Sequence, residues 1–248
     1  MSVQFSKESL RFTKKNTKAF LKKHGIFFTP KSHRDELFEH ISPFIQEDSR
    51  VLEPSAGSGE FVNDLIRTYN GLHIDAIELN EELFNHLDTI TGCHAIHADF
   101  ISRQFTDKYD IILGNPPYFE LKKTSKYYNT YKAWWKGRMN MYSLFILKSV
   151  ALLKQGGVLA FVVPPSWMNG KYYECVRSSL SQQGTMLYMS DFSHINTFMK
   201  TQQDTMLFVF QKGNGTVDKY KLQIKNKIFY CFKKEEIQNL IHNTTTIK

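Results

Sequence analysis

The 248-residue sequence predicts an α/β protein with a doubly wound, mainly parallel sheet. Three observations predict it. Short apolar segments alternate with helical patterns from residue 50 onward, the order that βαβ units produce. Residues 158–163 are apolar without a break, as a strand covered on both faces must be. Every unusual glycine or polar cluster falls just after an apolar segment, where open α/β sheets bind their ligands.

The elements follow in order. Residues 50–53 read as a strand, then come a glycine turn and a helix from about Phe61. Residues 73–79 read as a second strand and 81–90 as a helix. Residues 95–98 are a short third strand, and 109–113, with the core Ile111-Ile112-Leu113, are the fourth. Residues 141–153 are helical, with Met141, Leu144, Phe145, Val150 and Leu153 forming a helical stripe that Gly156-Gly157 stops. After strand 158–163 come a helix over 171–182 and strands over 186–192 and 205–211. Beyond Lys212 the pattern changes: Gly213-Asn214-Gly215 is a turn, 220–224 and 227–232 pair as a hairpin around Lys225-Asn226, and 235–241 is a short helix. Asn243-Thr244-Thr245-Thr246 is expected to fray. The division is a basic segment over 1–24, the main α/β domain over 25–212, and an extension over 213–248 too short for a core of its own.

Composition narrows the function classes. At 42% hydrophobic the chain can build a core, which argues against wholesale disorder. The longest apolar run, 157–163, falls far short of the roughly 20 residues that span a bilayer. Met1-Ser2-Val3-Gln4 is not followed by the apolar region of a secretory signal, so the expectation is a soluble, intracellular, cytoplasmic protein without a membrane partner. The cysteines, Cys93, Cys175 and Cys231, are odd in number and form no C-x-x-C pair, which argues against a disulfide scaffold or structural zinc. His94 and His97 have no carboxylate or thiol at ligand spacing, so no metal is expected. The net charge of +8 favours a polyanionic partner. Residues 7–23 carry seven Lys or Arg against one Glu, and a solvated basic helix or a phosphate-binding one accounts for them equally well. Residues 121–139 carry six basic residues and no acid, together with Tyr127, Tyr128, Tyr131, Trp134 and Trp135. Such a mixture can neutralise phosphates and stack on bases.

Two loops carry chemistry. In Leu52-Glu53-Pro54-Ser55-Ala56-Gly57-Ser58-Gly59 the glycines permit a tight turn and close approach of backbone to a ligand. Glu78 ends the second strand about 20 residues later, where a carboxylate can hold both hydroxyls of a ribose. Asp99-Phe100 ends the third, an acid to accept an adenine amine and a ring to pack on the base. Without G-x-G-x-x-G a dinucleotide is disfavoured, and without G-K-[ST] a Walker loop is excluded. The set fits a nucleoside that lacks a pyrophosphate, and S-adenosylmethionine is such a molecule. The second loop, Gly114-Asn115-Pro116-Pro117-Tyr118, directly follows the fourth strand. Its prolines stiffen the backbone and cannot donate hydrogen bonds, so the Asn115 side-chain oxygen and the Pro116 carbonyl stand as acceptors. Two acceptors on a planar amine draw its nitrogen toward tetrahedral geometry and aim the lone pair at a methyl group. Positioning and electrostatics then do most of the chemistry.

At these residues the chain resembles the γ class of DNA adenine-N6 methyltransferases. There a Phe-Thr-Pro motif precedes the glycine motif, which precedes Asn-Pro-Pro-Tyr; Phe28-Thr29-Pro30, the loop from Glu53 to Gly59, and Asn115-Pro116-Pro117-Tyr118 stand in that order. Asn140-Met141-Tyr142 and Phe145 resemble the next motif, 156–167 the fifth-strand motif, and Phe198 the loop aromatic that precedes the last hairpin strand. The resemblance covers about residues 25–212. It implies a Rossmann-like, seven-stranded methyltransferase sheet, mostly parallel, with a C-terminal antiparallel hairpin strand. It implies S-adenosylmethionine as cofactor, S-adenosylhomocysteine as product and no metal. The cofactor site it implies comprises Phe28, Thr29, Pro30, Glu53, Ser55, Ala56, Gly57, Gly59, Glu78, Leu79, Asp99, Phe100, Asn115, Pro117 and Phe145. The catalytic set is Asn115, Pro116, Pro117 and Tyr118, and a flipped adenine is sandwiched between Tyr118 and Phe198, with Phe192 a nearby competitor for the second plate. A base in a duplex must be flipped out to reach such a pocket, and Lys122, Lys123, Lys126, Lys132, Lys136 and Arg138 are expected to contact the DNA.

One departure and several rivals remain open. Many family members carry a large C-terminal recognition domain, whereas here 36 residues follow Lys212. Recognition by 1–24 and 119–139, a separate specificity subunit or a homodimer, and tolerance of many sites compete as explanations. The same loop suits adenine-N6 methylation of RNA and glutamine-N5 methylation of proteins. The glutamine enzymes typically carry an Asp-x-Gly first motif and an N-terminal helical domain. A non-catalytic nucleic-acid-binding subunit would show degraded motifs, and these are intact. A restriction–modification setting and a regulatory one are both compatible with the sequence.

Overall fold

A computed structural model describes residues 5–134, 137–168, 171–192, 204–213, 220–224 and 227–231. Phe198, Lys136, Trp135 and the expected helix over 235–241 lie outside them. The chain begins with helices α1 (Lys7–Lys15), α2 (Lys18–His24) and α3 (Lys31–Ile41). Then β1 (Arg50–Glu53), α4 (Glu60–Thr68), β2 (His73–Glu78), α5 (Glu81–Leu87), β3 (His94–His97) and β4 (Tyr109–Gly114) alternate. A small excursion holds β5 (Glu120–Leu121), the one-turn α6 (Tyr128–Tyr131) and β6 (Met139–Asn140). The series ends with α7 (Met141–Leu152), β7 (Leu153–Val163), α8 (Glu174–Gln183), β8 (Gly184–Asp191), β9 (Met206–Lys212), β10 (Tyr220–Ile224) and β11 (Lys227–Cys231).

Among the described residues the main sheet runs β11-β10-β8-β9-β7-β4-β1-β2-β3. Strands β3, β2, β1, β4 and β7 are mutually parallel, and β9 inserts antiparallel between β7 and β8. These seven strands are the sheet the resemblance implied. The hairpin read from the C-terminal sequence does not stand apart: β10 pairs with β8 and extends the same sheet to nine strands. The two-residue period of a strand sorts the core into two layers. Leu52, Ile112, Leu159, Phe161 and Phe208 face α7 and α8, whereas Val51, Ile111, Leu113, Ala160 and Val209 face α3 and α4.

Two sequence readings are corrected. Helix α7 carries no stripe; nearly all its residues are buried, because it packs on the sheet beside α8 within an apolar cluster that also takes in Phe105, Phe119 and Tyr131. Gly156-Gly157 does not stop it either. The chain is already extended at Leu153, and the glycines form an irregularity inside β7, where the pairing jumps from Tyr109↔Leu153 to Ile111↔Val158. The α7 terminus is held instead by lysines: Lys108 donates to the Ala151 carbonyl, and Lys212 to those of Val150 and Leu153. Cations are favourable at that end of a helix dipole.

The described part of the basic segment, residues 5–24, forms two helices packed onto the rest of the protein. Phe12 and Leu21 are buried, and Ser9 Oγ meets Ser58 Oγ of the glycine loop at 2.7 Å. The basic side chains lie on the outer faces. No helix among the described residues is long and apolar enough to cross a membrane.

Candidate active site at the switch point of the sheet

Strand order reverses between β1 and β4: from β1 the chain moves out through β2 and β3, then returns to place β4 on the other side. The crevice beyond the carboxyl ends of these two strands is where doubly wound sheets bind ligands. Both chemistry-bearing loops emerge there, and between them lies a cavity of about 460 Å³, within the usual range for cofactor sites.

On the β1 side, Gly57 (φ +55°) turns the loop so that its N–H donates to Glu78 Oε2 at 2.7 Å. The other Glu78 oxygen accepts from the Asn80 N–H, also at 2.7 Å. Burial raises the Glu78 carboxyl above its usual range, and the N–H groups of Asn80 and Gly57 oppose that rise. Glu53 lies deeper, 2% exposed, with no partner for Oε2. Burial pushes its carboxyl well above the usual range; Glu78 and Glu60 add to the rise, while Arg34 and the Val62 N–H work against it. Gly59 (φ +74°) does not line the cavity. A Cβ there would lie 2.5 Å from Ile90 Cδ1, so this glycine permits close packing of the loop on the α5 side.

At the end of β3, Asp99 accepts from the Ile101 N–H, Ser102 Oγ, Tyr127 Oη and Lys126 Nζ. Burial works to raise its carboxyl, but these partners outweigh burial and hold it below the ordinary value. Phe100 and Phe145 lie 4.9 Å apart in the cavity wall. Leu79 at the rim is 62% exposed, an apolar side chain with an uncovered face.

On the β4 side, Asn115 is held through its amide nitrogen. Nδ2 donates to the Phe27 carbonyl at 2.8 Å and to Thr29 Oγ1 at 2.9 Å, which leaves Oδ1 as the acceptor. Ser55 Oγ donates to the Asn115 carbonyl at 3.2 Å and ties the two loops together. The Tyr118 hydroxyl, with one proton to give, lies against both Asn115 Oδ1 and the Val162 carbonyl.

Most residues read from sequence meet around this cavity: Phe28, Thr29, Glu53, Ser55, Ala56, Gly57, Glu78, Leu79, Asp99, Phe100, Asn115, Pro117 and Phe145 line it. Pro30 precedes the first turn of α3 instead. Tyr118 does not stand as an open plate. Its ring is 6% exposed, stacked on Phe27 at 5.2 Å and edge-on to Tyr142. Phe192 is buried on the α3 side, its ring 3.8 Å from that of His33, so it belongs to the core. Of the expected DNA contacts, Lys122, Lys123 and Lys132 are exposed and have no ion pair among the described residues. Lys126 is paired with Asp99 and Arg138 with Glu120. The sequence reading missed Phe27 and Gly25, and it took Tyr127 as a base-stacking aromatic, whereas here its hydroxyl donates to Asp99 at 2.9 Å in the cavity wall. Only Gly25, a glycine followed by an apolar run, carries a local signal, and its meaning depends on what packs against it.

The fold and this crevice define the class. A Listeria monocytogenes protein described as a class I S-adenosylmethionine-dependent methyltransferase matches with a TM-score of 0.62, at 15% identity, over 86% of this chain and 68% of that one. At that identity the likeness concerns the fold. The family follows from the sequence comparison: residues 1–198 match the Eco57I restriction-modification methylase model, and the chain belongs to that family. It is 30% identical over 218 residues to the type II methyltransferase M.CvrRI of Paramecium bursaria Chlorella virus XZ-6E, which covers 87% of this chain and 56% of the relative. It is 34% identical over 184 residues to the modification methylase CviBIII of Paramecium bursaria Chlorella virus NC1A, covering 70% and 46%. The chain therefore spans about half the length of these curated relatives.

Proposed function

We propose that the chain transfers a methyl group from S-adenosylmethionine to the N6 amine of an adenine in DNA, flipped from the helix into this crevice. The observation that carries the reading is the clamped Asn115 amide, whose oxygen is left as an acceptor at the wall of a nucleoside-sized cavity. The cavity suits the cofactor on its own terms. Glu53 Oε2 is a buried, unpartnered carboxylate oxygen in the lining, matched to an ammonium group. Leu79 offers an uncovered apolar face beside Phe100 and Phe145, matched to a purine. Glu78 would hold the ribose hydroxyls and Asp99 the purine amine.

When bound, the cofactor supplies an electrophilic methyl on sulfonium. The protein's part is placement. Asn115 Oδ1 and the Pro116 carbonyl accept the two N–H groups of the target amine and turn its lone pair toward the methyl. Once the nitrogen carried the methyl, with a neutral thioether left on the cofactor, its surplus proton would be acidic and pass to water, so no strong base is required. The Tyr118 hydroxyl now against Oδ1 must yield to the incoming amine. Tyr118 and Phe198 serve as the plates on either side of the base in this reading, which requires the Tyr118 ring to use a face other than the one on Phe27. Exposed Lys122, Lys123 and Lys132 follow the catalytic loop and are assigned to DNA phosphates. The net charge of +8 favours a nucleic acid over a protein glutamine, and the family, whose relatives are modification methylases, favours DNA over RNA.

The test offers labelled cofactor with duplex DNA, single-stranded DNA, RNA and a release factor side by side. Label is expected at N6 of adenine in DNA. Asn115→Ala should lower turnover on the order of 10²-fold, as loss of a preorganised polar contact does, with cofactor affinity largely kept. Label in the release factor or RNA alone, or full turnover by Asn115→Ala, overturns the reading.

A further inference from the structure

We propose that Thr29 and Arg34 are positioning residues for methyl transfer: Arg34 pins the segment Phe27-Phe28-Thr29, and that segment fixes which end of the Asn115 amide accepts. The inference rests on the reading of Asn115 given above. An asparagine amide can turn over with little change of shape, and only its hydrogen-bond partners choose between the two orientations. At Nδ2 the partners are both acceptors, the Phe27 carbonyl and Thr29 Oγ1. Turning the amide over would set its oxygen against the Phe27 carbonyl oxygen, which cannot donate, so Oδ1 is committed to the target; the Thr29 hydroxyl adds the second bond that holds the amide in this orientation.

What holds the segment is a buried ion cluster that the chemistry itself does not use. Arg34 is 4% exposed, Glu60 7% and Asp64 5%. Arg34 Nε donates to Asp64 Oδ2 at 2.7 Å, and Nη1 donates to Glu60 Oε2 at 3.2 Å and to the Thr29 carbonyl at 2.5 Å. Buried ion pairs add little net stability over well-packed apolar replacements, so stability alone is a weak reason for this one. Its geometry supplies another. The planar fork reaches two carboxylates of α4 and one carbonyl of the clamp from two separate nitrogens held in a fixed plane, a spread that the compact ammonium of a lysine lacks. Glu60 continues the chain outward: Oε1 accepts from the Ser6 N–H at 2.6 Å and from Ser9 Oγ at 2.8 Å, binding the start of α1 to the same cluster. Asn115 is thus referenced to the rigid α4 and not only to its own loop.

The test uses Thr29→Val, which deletes the acceptor and keeps the shape, Thr29→Ser, which restores it, and Arg34→Lys. Turnover at saturating DNA and cofactor, cofactor Kd by calorimetry and the unfolding midpoint are measured on the whole chain. Thr29→Val and Arg34→Lys are expected to lower kcat about tenfold, the equivalent of one hydrogen bond. Cofactor Kd should stay within about threefold, and Thr29→Ser should recover wild-type kcat. In an Asn115→Ala background Thr29→Val should cost nothing more, the sign that both act through one group. The inference is overturned by full kcat in Thr29→Val, whatever the folding of Arg34→Lys, by losses that track cofactor Kd, or by additive losses in the double variant. If Asn115→Ala is inactive while Thr29→Val turns over normally, this inference alone falls. If Asn115→Ala is fully active, the proposed function falls first.

Discussion

Replacing Glu53 with Gln should make the cofactor-free protein more stable and the cofactor less tightly bound. Glu53 is 2% exposed, and Oε2 has no partner. A buried polar atom left unsatisfied costs about 1–3 kcal/mol, and more when charged. Glutamine keeps the shape and removes the charge. The sign with pH follows from the raised carboxyl. At pH values below the ordinary 4.5, Glu53 is protonated in both folded and unfolded chains, and the substitution changes little. As pH rises the unfolded chain loses that proton first, so the folded state of the wild type is progressively disfavoured until its own Glu53 ionises. The gain from Gln therefore appears above pH 4.5 and reaches about 1–3 kcal/mol, or roughly 2–4 °C in Tm for each kcal/mol in a chain of this size. Glu78 is raised too but is present in both proteins, so the comparison isolates Glu53. The opposite effect falls on binding. An ammonium on an ionised Glu53 is a charge-assisted contact of about 1.5–3 kcal/mol, so cofactor affinity should fall about 10- to 150-fold. Wild-type affinity should rise with pH, with proton release on binding; the variant should show both effects reduced to the share that Glu78 contributes. Thermal melts from about pH 5 to 8 and calorimetry in two buffers of different ionisation enthalpy provide the readouts. A variant that is less stable at the upper pH and binds cofactor normally would refute the assignment.

Two further substitutions separate the catalytic loop from the core. Gly25 sits at φ +65°, and a Cβ there would lie 2.6 Å from the Tyr118 nitrogen and 2.9 Å from Pro117 Cβ. Gly25→Ala should cost about 1–2 kcal/mol for the left-handed backbone and lower turnover by displacing the loop, seen as a fall in both Tm and kcat; wild-type values for both would show the contact to be idle. Phe192→Ala should cost about 3–5 kcal/mol as a buried aromatic truncation and leave KM for DNA unchanged in whatever protein stays folded. A raised KM at unchanged Tm would return Phe192 to the base-stacking role.

Much of this molecule is legible in one dimension. The alternation of strand and helix, the glycine loop after β1, the acids after β2 and β3, and the Asn-Pro-Pro-Tyr loop after β4 are local patterns with local causes. A carboxylate at the end of a strand in an open sheet is already at the ligand crevice, so Glu78 and Asp99 can be placed without coordinates. The pairing of Lys126 was invisible for the opposite reason. A lysine in a basic aromatic stretch looks solvated, and only the fold of 119–140 brings it within 2.7 Å of Asp99. The stripe in α7 failed because its covering comes from distant parts of the chain, among them Phe105, Phe119 and Tyr131 before it and α8 after it.

The sequence alone determined the class of sheet, the position of the crevice and the chemical character of its two loops, because side-chain period and turn chemistry act within a few residues. Only the tertiary structure decided the state of those loops. Asn115 takes its orientation from Phe27 and Thr29, more than 80 positions earlier; Tyr118 takes its ring partner from Phe27 and its carbonyl from Val162. Arg34 finds its carboxylates on a different helix. Such pairings have no local signature. They exist because the α1–α3 segment closes back over the switch point, burying groups that must then satisfy one another.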